Sequence, residues 1–114
     1  MGVPIPWGAI QRNTQGGDVL YTNSTLALDA DTGEIVWYFQ HVPGGNWDQD
    51  HPYERLIVET EVTPDVDAVS WINPNITSNQ QRKVITGIPG KPGIVWTLDA
   101  ATGEFLWATE TSYQ

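Results

Sequence analysis

The chain has 114 residues, a formal net charge of −9 and no cysteine. Fourteen acidic side chains against five basic ones cannot neutralise phosphates, which argues against a nucleic acid partner and against an anionic membrane surface. The composition also excludes a disulfide framework and a thiolate metal site within these residues, and no apolar run approaches the ~20 residues of a transmembrane helix.

The first elements in chain order are a loop and a hairpin. Residues 1–9 contain two prolines and two glycines and predict a shaped loop. Strands predicted at about 19–29 and 34–42 flank a polar turn, Asp29-Ala30-Asp31-Thr32-Gly33. The carboxylate and hydroxyl groups of this turn can accept backbone N–H bonds, and its glycine can adopt the positive φ that closes a hairpin.

A long segment, about 43–83, separates this hairpin from the next one. It begins with the turn-rich sequence Pro43-Gly44-Gly45-Asn46-Trp47-Asp48-Gln49-Asp50-His51-Pro52, and a strand is predicted at about 55–62. Long connections with little secondary structure are often functional. We therefore expect an active-site insertion in this part of the chain.

The end of the chain repeats the first hairpin. Strands are predicted at about 82–88 and 94–98, joined by the kinked connection Pro89-Gly90-Lys91-Pro92. Residues 98–107 then match residues 28–37 at seven of ten positions, and both copies end in tryptophan. A hairpin cannot bury a tryptophan alone, so each copy needs a neighbouring sheet on which to dock. Repeating hairpins of this kind predict a β-propeller.

The predicted fold class is therefore all-β: a propeller fragment of about two antiparallel blades. The repeat units lie at about 24–40 and 94–110, and the inserted region lies between them. A blade takes roughly 40–45 residues and closure needs at least about four blades, so we expect a longer protein to supply the remaining blades.

Several motifs resemble a known family. The paired hairpin and tryptophan units, the opening Gly2-Val3-Pro4-Ile5-Pro6-Trp7 and the later Trp47-Asp48-Gln49-Asp50 are similar to the pyrroloquinoline quinone (PQQ) dependent alcohol dehydrogenases of the methanol/ethanol type. That family folds as an eight-bladed propeller with tryptophan-docking repeats. The resemblance implies a periplasmic oxidoreductase that uses PQQ and calcium or a lanthanide ion. It would oxidise a small primary alcohol to the aldehyde and pass electrons to a cytochrome c.

The resemblance also implies roles for three residues. Asp48 aligns with the catalytic aspartate, the general base for the alcohol proton and a metal ligand. Asp50 matches the aspartate that completes the metal shell in the lanthanide-using branch. Lys91 stands where the family has an Arg or Lys that binds the quinone oxygens. The sequence departs from the family at Val3, where a metal-ligating Asn is the rule. No signal-peptide pattern opens the chain, so an export signal would lie upstream.

The chemistry of these residue types agrees with the implied roles. Asp48 and Asp50 are two positions apart and would face one way in a strand, where a hard cation would relieve their repulsion. His41 and His51 have no third ligand at metal spacing and are predicted not to bind metal.

Two hypotheses remain open. The parent is a dehydrogenase of which the isolated 114 residues are inactive, or it is a non-catalytic propeller that serves as a binding or assembly scaffold.

Overall fold

The computed structural model describes residues 2–3, 20–44 and 49–111. Within these ranges the chain forms eight β-strands and no helix, which confirms the predicted all-β class. The strands are β1 Gly2–Val3, β2 Ser24–Leu28, β3 Ile35–Gln40, β4 Leu56–Val62, β5 Trp71–Ile72, β6 Gln80–Gly87, β7 Ile94–Asp99 and β8 Phe105–Glu110. The described part of the chain therefore has no helical segment of the length and apolarity needed to cross a membrane.

The described residues divide into two compact units, each with one antiparallel sheet. The first unit holds the residues up to Tyr53 together with Gly90–Pro92, and the second holds Glu54–Pro89 and the residues from Gly93 onward. The stretch 43–83, predicted as an insertion, contains β4, β5 and the start of β6. Much of this stretch therefore belongs to the second sheet.

The first sheet has the order β1-β2-β3. Its hairpin pairs Ala27 with Trp37, and the register then shifts at a bulge so that Leu28 pairs with Ile35. β1 pairs antiparallel with β2 at the edge of this sheet, where the sequence predicted a loop. Two residues are too few to show an alternating pattern in the sequence, so this strand is defined only by its pairing with β2.

The second sheet has the order β4-β6-β7-β8-β5. β5 lies between β4 and β6 in the chain but pairs with β8 at the other side of the sheet, with Trp71 opposite Ala108 and Ile72 opposite Trp107. The sequence did not predict β5, because two residues are too short to show an alternating pattern. The other strands are rich in β-branched and aromatic residues, which favour the pleated conformation.

The first repeat turn has the hydrogen bonds that its sequence predicts. Asp29 Oδ1 accepts the backbone N–H groups of Asp31 at 2.9 Å and Thr32 at 2.8 Å, and Thr32 Oγ1 accepts the N–H of Glu34 at 3.2 Å. Gly33 has a φ of 75°. The N–H donors of Thr32 and then Asp31 lower the pKa of the Asp29 carboxyl below its ordinary value of 3.8.

The second repeat turn has the same pair of backbone bonds to its aspartate, which is buried here. Asp99 Oδ1 accepts the N–H groups of Ala101 at 2.9 Å and Thr102 at 3.1 Å, and Gly103 has a φ of 74°. Here a cation is added, because Arg82 Nη1 lies 3.3 Å from Asp99 Oδ2. The same Nη1 lies 3.0 Å from the outer carboxylate of the turn, at Glu104 Oε2. No Arg or Lys pairs with the first turn's Asp29 within residues 20–44 and 49–111.

The core of the second unit is a small cluster of aliphatic side chains from three strands. Val62, Val84 and Leu106 are buried, and Ile76 and Trp107 pack against them. Burial of each aliphatic side chain contributes about 1.5–3 kcal/mol. The closing tryptophan of the second repeat thus packs on its own sheet, and its docking on a neighbouring blade stays a prediction.

Candidate functional site

Asp50 and Lys91, both predicted as site residues, are in direct contact. Lys91 Nζ lies 3.0 Å from Asp50 Oδ2 in a charge-assisted hydrogen bond. The backbone N–H of Lys91 also donates to the carbonyl oxygen of Asp50 at 3.2 Å. The residues are 41 positions apart in the chain, so tertiary structure creates this contact. Both belong to the first unit.

Two different connections carry the pair. Asp50 lies in the segment that follows β3, and Lys91 lies in the connection between β6 and β7. The prolines at 89 and 92 fix φ near about −65° at two positions of that connection, which limits the conformations open to the lysine between them. The residue immediately before the lysine, Gly90, is buried.

Two buried histidines lie beside the pair. The rings of His41 and His51 stack with centroids 5.1 Å apart and planes at 3°. They are 7% and 1% exposed. His41 Nε2 lies 2.8 Å from Oγ1 of Thr25 on β2, in a hydrogen bond whose donor depends on the tautomer. The stack therefore links the segment that carries Asp50 to the first sheet.

The lysine has the donor chemistry that a quinone site requires. An ammonium group carries three N–H donors, so Lys91 can bind Asp50 and a second acceptor such as a quinone oxygen at the same time. The side chains of Lys91 and Asp50 are 41% and 23% exposed, so the ion pair is only partly buried. A cation held at a fixed point can stabilise negative charge that develops on a bound oxygen. Lys91, with Asp50 as its counter-charge, thus has the donor that a quinone oxygen of PQQ requires.

The described residues do not by themselves form the predicted metal site. Asp48, the predicted base and metal ligand, lies outside the described residues, and its roles stay predictions. The carboxylate of Asp50 suits a hard cation, but one of its oxygens accepts the bond from Lys91. Across the ranges that the structure describes, no three His, Asp or Glu side chains come together to hold a metal ion. These residues alone do not form a metal site, and no metal-dependent step is derived from them.

Comparison with known families gives a match over nearly the whole chain. Residues 5–113 match the family described as PQQ: glucose/ethanol/alcohol dehydrogenase, beta-propeller domain. The chain belongs to this PQQ β-propeller family. The predicted resemblance to PQQ-dependent dehydrogenases and the predicted propeller fragment are thereby confirmed.

Relatives of this PQQ β-propeller chain are named alcohol dehydrogenases. It is 34% identical over 105 residues to 1-butanol dehydrogenase (cytochrome c) of Thauera butanivorans, and the match covers 92% of this chain and 13% of that protein. It is 33% identical over 103 residues to quinohemoprotein alcohol dehydrogenase of Comamonas testosteroni, at 90% and 12% coverage. The chain thus spans 12–13% of the length of these relatives.

A solved structure agrees with the sequence matches. The crystal structure of the quinohemoprotein alcohol dehydrogenase from Comamonas testosteroni superposes with a TM-score of 0.75 at 30% identity, and the match covers 98% of this chain and 14% of that one. A second structure, of the quinohemoprotein alcohol dehydrogenase ADHIIG from Pseudomonas putida, gives a TM-score of 0.66 at 32% identity over 86% of this chain and 12% of that one. The PQQ β-propeller chain therefore shares its fold with a short part of each of these enzymes.

Proposed function

We propose that this PQQ β-propeller chain is part of a PQQ-dependent alcohol dehydrogenase that oxidises a primary alcohol to the aldehyde. The family match over residues 5–113 carries the proposal. The names of two relatives, a 1-butanol dehydrogenase and a quinohemoprotein alcohol dehydrogenase, support an alcohol as the substrate class. Because the chain spans 12–13% of those relatives, the activity is a property of the complete protein.

The chemistry divides between the cofactor and three residues of this chain. Oxidation of a primary alcohol removes a hydride from the carbon and a proton from the hydroxyl group. When bound, PQQ supplies the two-electron acceptor for the hydride. Asp48 acts as the base that accepts the hydroxyl proton. Lys91 donates an N–H to a quinone oxygen, and Asp50 holds its ammonium group at 3.0 Å.

The proposal extends to a metal ion, an electron acceptor and a compartment. Asp48 and Asp50 would contribute oxygen ligands to calcium or a lanthanide ion, since carboxylates suit hard cations. A cytochrome c would accept the electrons, which is supported by the words "cytochrome c" in the name of the Thauera relative. A periplasmic location follows from the family resemblance, and fractionation of source cells would test it.

Substitution of the base in the complete protein tests the proposal. The protein is reconstituted with PQQ and calcium or lanthanum, and alcohol oxidation is measured with an artificial electron acceptor. We expect Asp48→Asn to lower kcat by about 10²–10⁴-fold, because proton transfer to a positioned base contributes that much. Asp31→Asn is the matched control, since Asp31 is exposed in the β2–β3 turn and should leave activity unchanged. Circular dichroism of each variant checks that the fold is intact.

A non-catalytic scaffold of the same family is the second candidate. Val3 favours it, because valine cannot ligate a metal at the position where the family pattern has Asn. On this hypothesis the reconstituted protein binds no PQQ and oxidises no alcohol, and Asp48→Asn changes nothing. Turnover that is lost in Asp48→Asn and kept in Asp31→Asn would exclude the scaffold.

A further inference from the structure

We propose that Gly90 and His51 are positioning residues that hold the Lys91 ammonium group in place against Asp50. We call the set of Asp50, His51 and Gly90 the Lys91 support. The task that Lys91 performs rests on the proposed function, whereas the support itself rests on contacts within the first unit.

Glycine is required at position 90 because a Cβ atom would collide with neighbouring atoms, and not because of its backbone conformation. Its φ lies outside the left-handed region, in contrast to the glycines with positive φ elsewhere in the chain. A Cβ atom at this position would lie 2.3 Å from the carbonyl oxygen of Asp50 and 2.8 Å from Cγ of His51. The first contact is with backbone, which a rotamer change cannot relieve. Only glycine therefore allows the two segments to approach this closely.

The close approach sets the position of Lys91. Two bonds of Lys91 go to the same residue: the backbone N–H reaches the Asp50 carbonyl at 3.2 Å and Nζ reaches the Asp50 carboxylate at 3.0 Å. To bring a Cβ from 2.3 Å to an ordinary contact near 3.4 Å, the segment must retreat by about 1 Å. A retreat of that size takes the 3.2 Å backbone bond beyond hydrogen-bond range.

His51 fixes the other side of the support. Its ring is 1% exposed, contacts the Gly90 position and stacks on His41. His41 is bonded in turn to Thr25 on β2, so the support is anchored to a strand of the first sheet. A lysine side chain is long and flexible, and its charge occupies a defined point only when the surrounding shell restricts it. The buried ring and the glycine provide that restriction.

Hydrogen exchange in the PQQ-free complete protein tests the support without any cofactor. Exchange of the Lys91 amide, followed by mass spectrometry of peptides that cover 89–93, should be at least ten-fold faster in Gly90→Ala than in the wild type. Gly33→Ala is the matched control. It is the same substitution in the same unit, it acts through a φ of 75°, and it has no atom within 4 Å of its Cβ position. It should leave Lys91 exchange unchanged.

A second variant keeps the test decisive if Gly90→Ala fails to fold. His51→Ala introduces no clash and removes the ring, and we expect it to accelerate Lys91 exchange as well. Wild-type exchange at Lys91 in a folded variant of either kind would overturn the proposal.

PQQ binding then connects the support to the function. Equilibrium titration of the metal-loaded protein with PQQ should show at least ten-fold weaker binding for Gly90→Ala and for Lys91→Met, and wild-type binding for Gly33→Ala. The double variant Gly90→Ala/Lys91→Met should bind no more weakly than Lys91→Met, because the lysine is already displaced. Fully additive losses would overturn the positioning role. If the wild type binds no PQQ, the proposed function fails, and hydrogen exchange still decides whether the support exists.

Discussion

Replacement of Asp99 should destabilise the second hairpin more than replacement of Asp29 destabilises the first. In both turns Oδ1 of the aspartate accepts two backbone N–H bonds. Only Asp99 is also buried, at 9% exposed, and paired with Arg82 through Oδ2. The two backbone bonds are common to both sites, but Asp29 Oδ1 accepts one more bond, from Thr32 Oγ1 at 3.1 Å in its exposed turn. Burial and the Arg82 pair must therefore outweigh that bond for Asp99→Ala to be the more destabilising substitution.

The magnitude follows from the contacts that each substitution removes. Asp99→Ala removes two hydrogen bonds to a charged acceptor. Each contributes about 1.5 kcal/mol, the lower end of the range for such bonds. It also removes an ion pair that contributes about 1 kcal/mol or less. Glu104 still pairs with Arg82 at 3.0 Å, which limits the loss. We expect the free energy of unfolding to fall by about 3–4 kcal/mol in Asp99→Ala. Asp99→Asn keeps the Oδ1 acceptor but directs an NH₂ group at Arg82, and should cost about 1–2 kcal/mol.

Native-state hydrogen exchange of the complete protein provides the assay, because peptides that cover each turn report on each hairpin separately. Asp29→Ala and Asp29→Asn are the matched controls. If the loss of protection at the Asp99 turn is no larger than at the Asp29 turn, the reasoning from burial and the Arg82 pair is refuted.

Two further predictions concern the core and the acid dependence of stability. Leu106→Ala should lower the free energy of unfolding by about 2–5 kcal/mol in urea titrations, because the side chain is 0% exposed; an unchanged midpoint would place the core elsewhere. Backbone N–H bonds lower the pKa of Asp29 below 3.8, so its stabilisation is complete above that value and is lost as the pH falls through the lower folded-state pKa. Asp29→Asn should remove this part of the acid dependence in urea titrations between pH 5 and pH 2, and an unchanged pH profile would contradict it.

The two repeat turns could be predicted from the sequence because their bonds close within a few residues. Each aspartate bonds the N–H groups two and three positions later, and each glycine adopts the positive φ that its position in the turn requires. Such interactions depend only on local sequence. The repeat therefore fixed both hairpins and, with them, the all-β class.

The different surroundings of the two turns could not be predicted in this way. Nearly identical sequences place Asp29 in an exposed turn and Asp99 in a buried one, because β6 brings Arg82 and its neighbours beside the second turn only. β5 was missed for a related reason. Its two residues form a strand only because β8 offers partners to Trp71–Ile72. Burial and edge pairing are tertiary properties, and local patterns do not contain them.

The candidate site shows the same division. Asp50 and Lys91 could be named from the family resemblance, but their contact spans 41 positions and no spacing rule predicts it. At Gly90 the sequence indicates only a kinked connection between prolines. Its position next to the candidate site lysine does not by itself indicate a functional role, because glycine is also an ordinary turn residue. The close approach that requires glycine is visible only in the folded chain.

The energetics around Lys91 indicate why this geometry exists. An ion pair with side chains 41% and 23% exposed contributes at most about 1 kcal/mol to stability. Its construction nevertheless requires a glycine at a 2.3 Å approach and the burial of two histidine rings, and burial of polar rings has a desolvation cost. The ion pair's contribution to stability alone therefore does not account for this close approach. What the close approach produces is a positive charge held at a defined point by a side chain that is 41% exposed. A bound quinone oxygen can use such a charge, whereas the pair contributes at most about 1 kcal/mol to the stability of the fold.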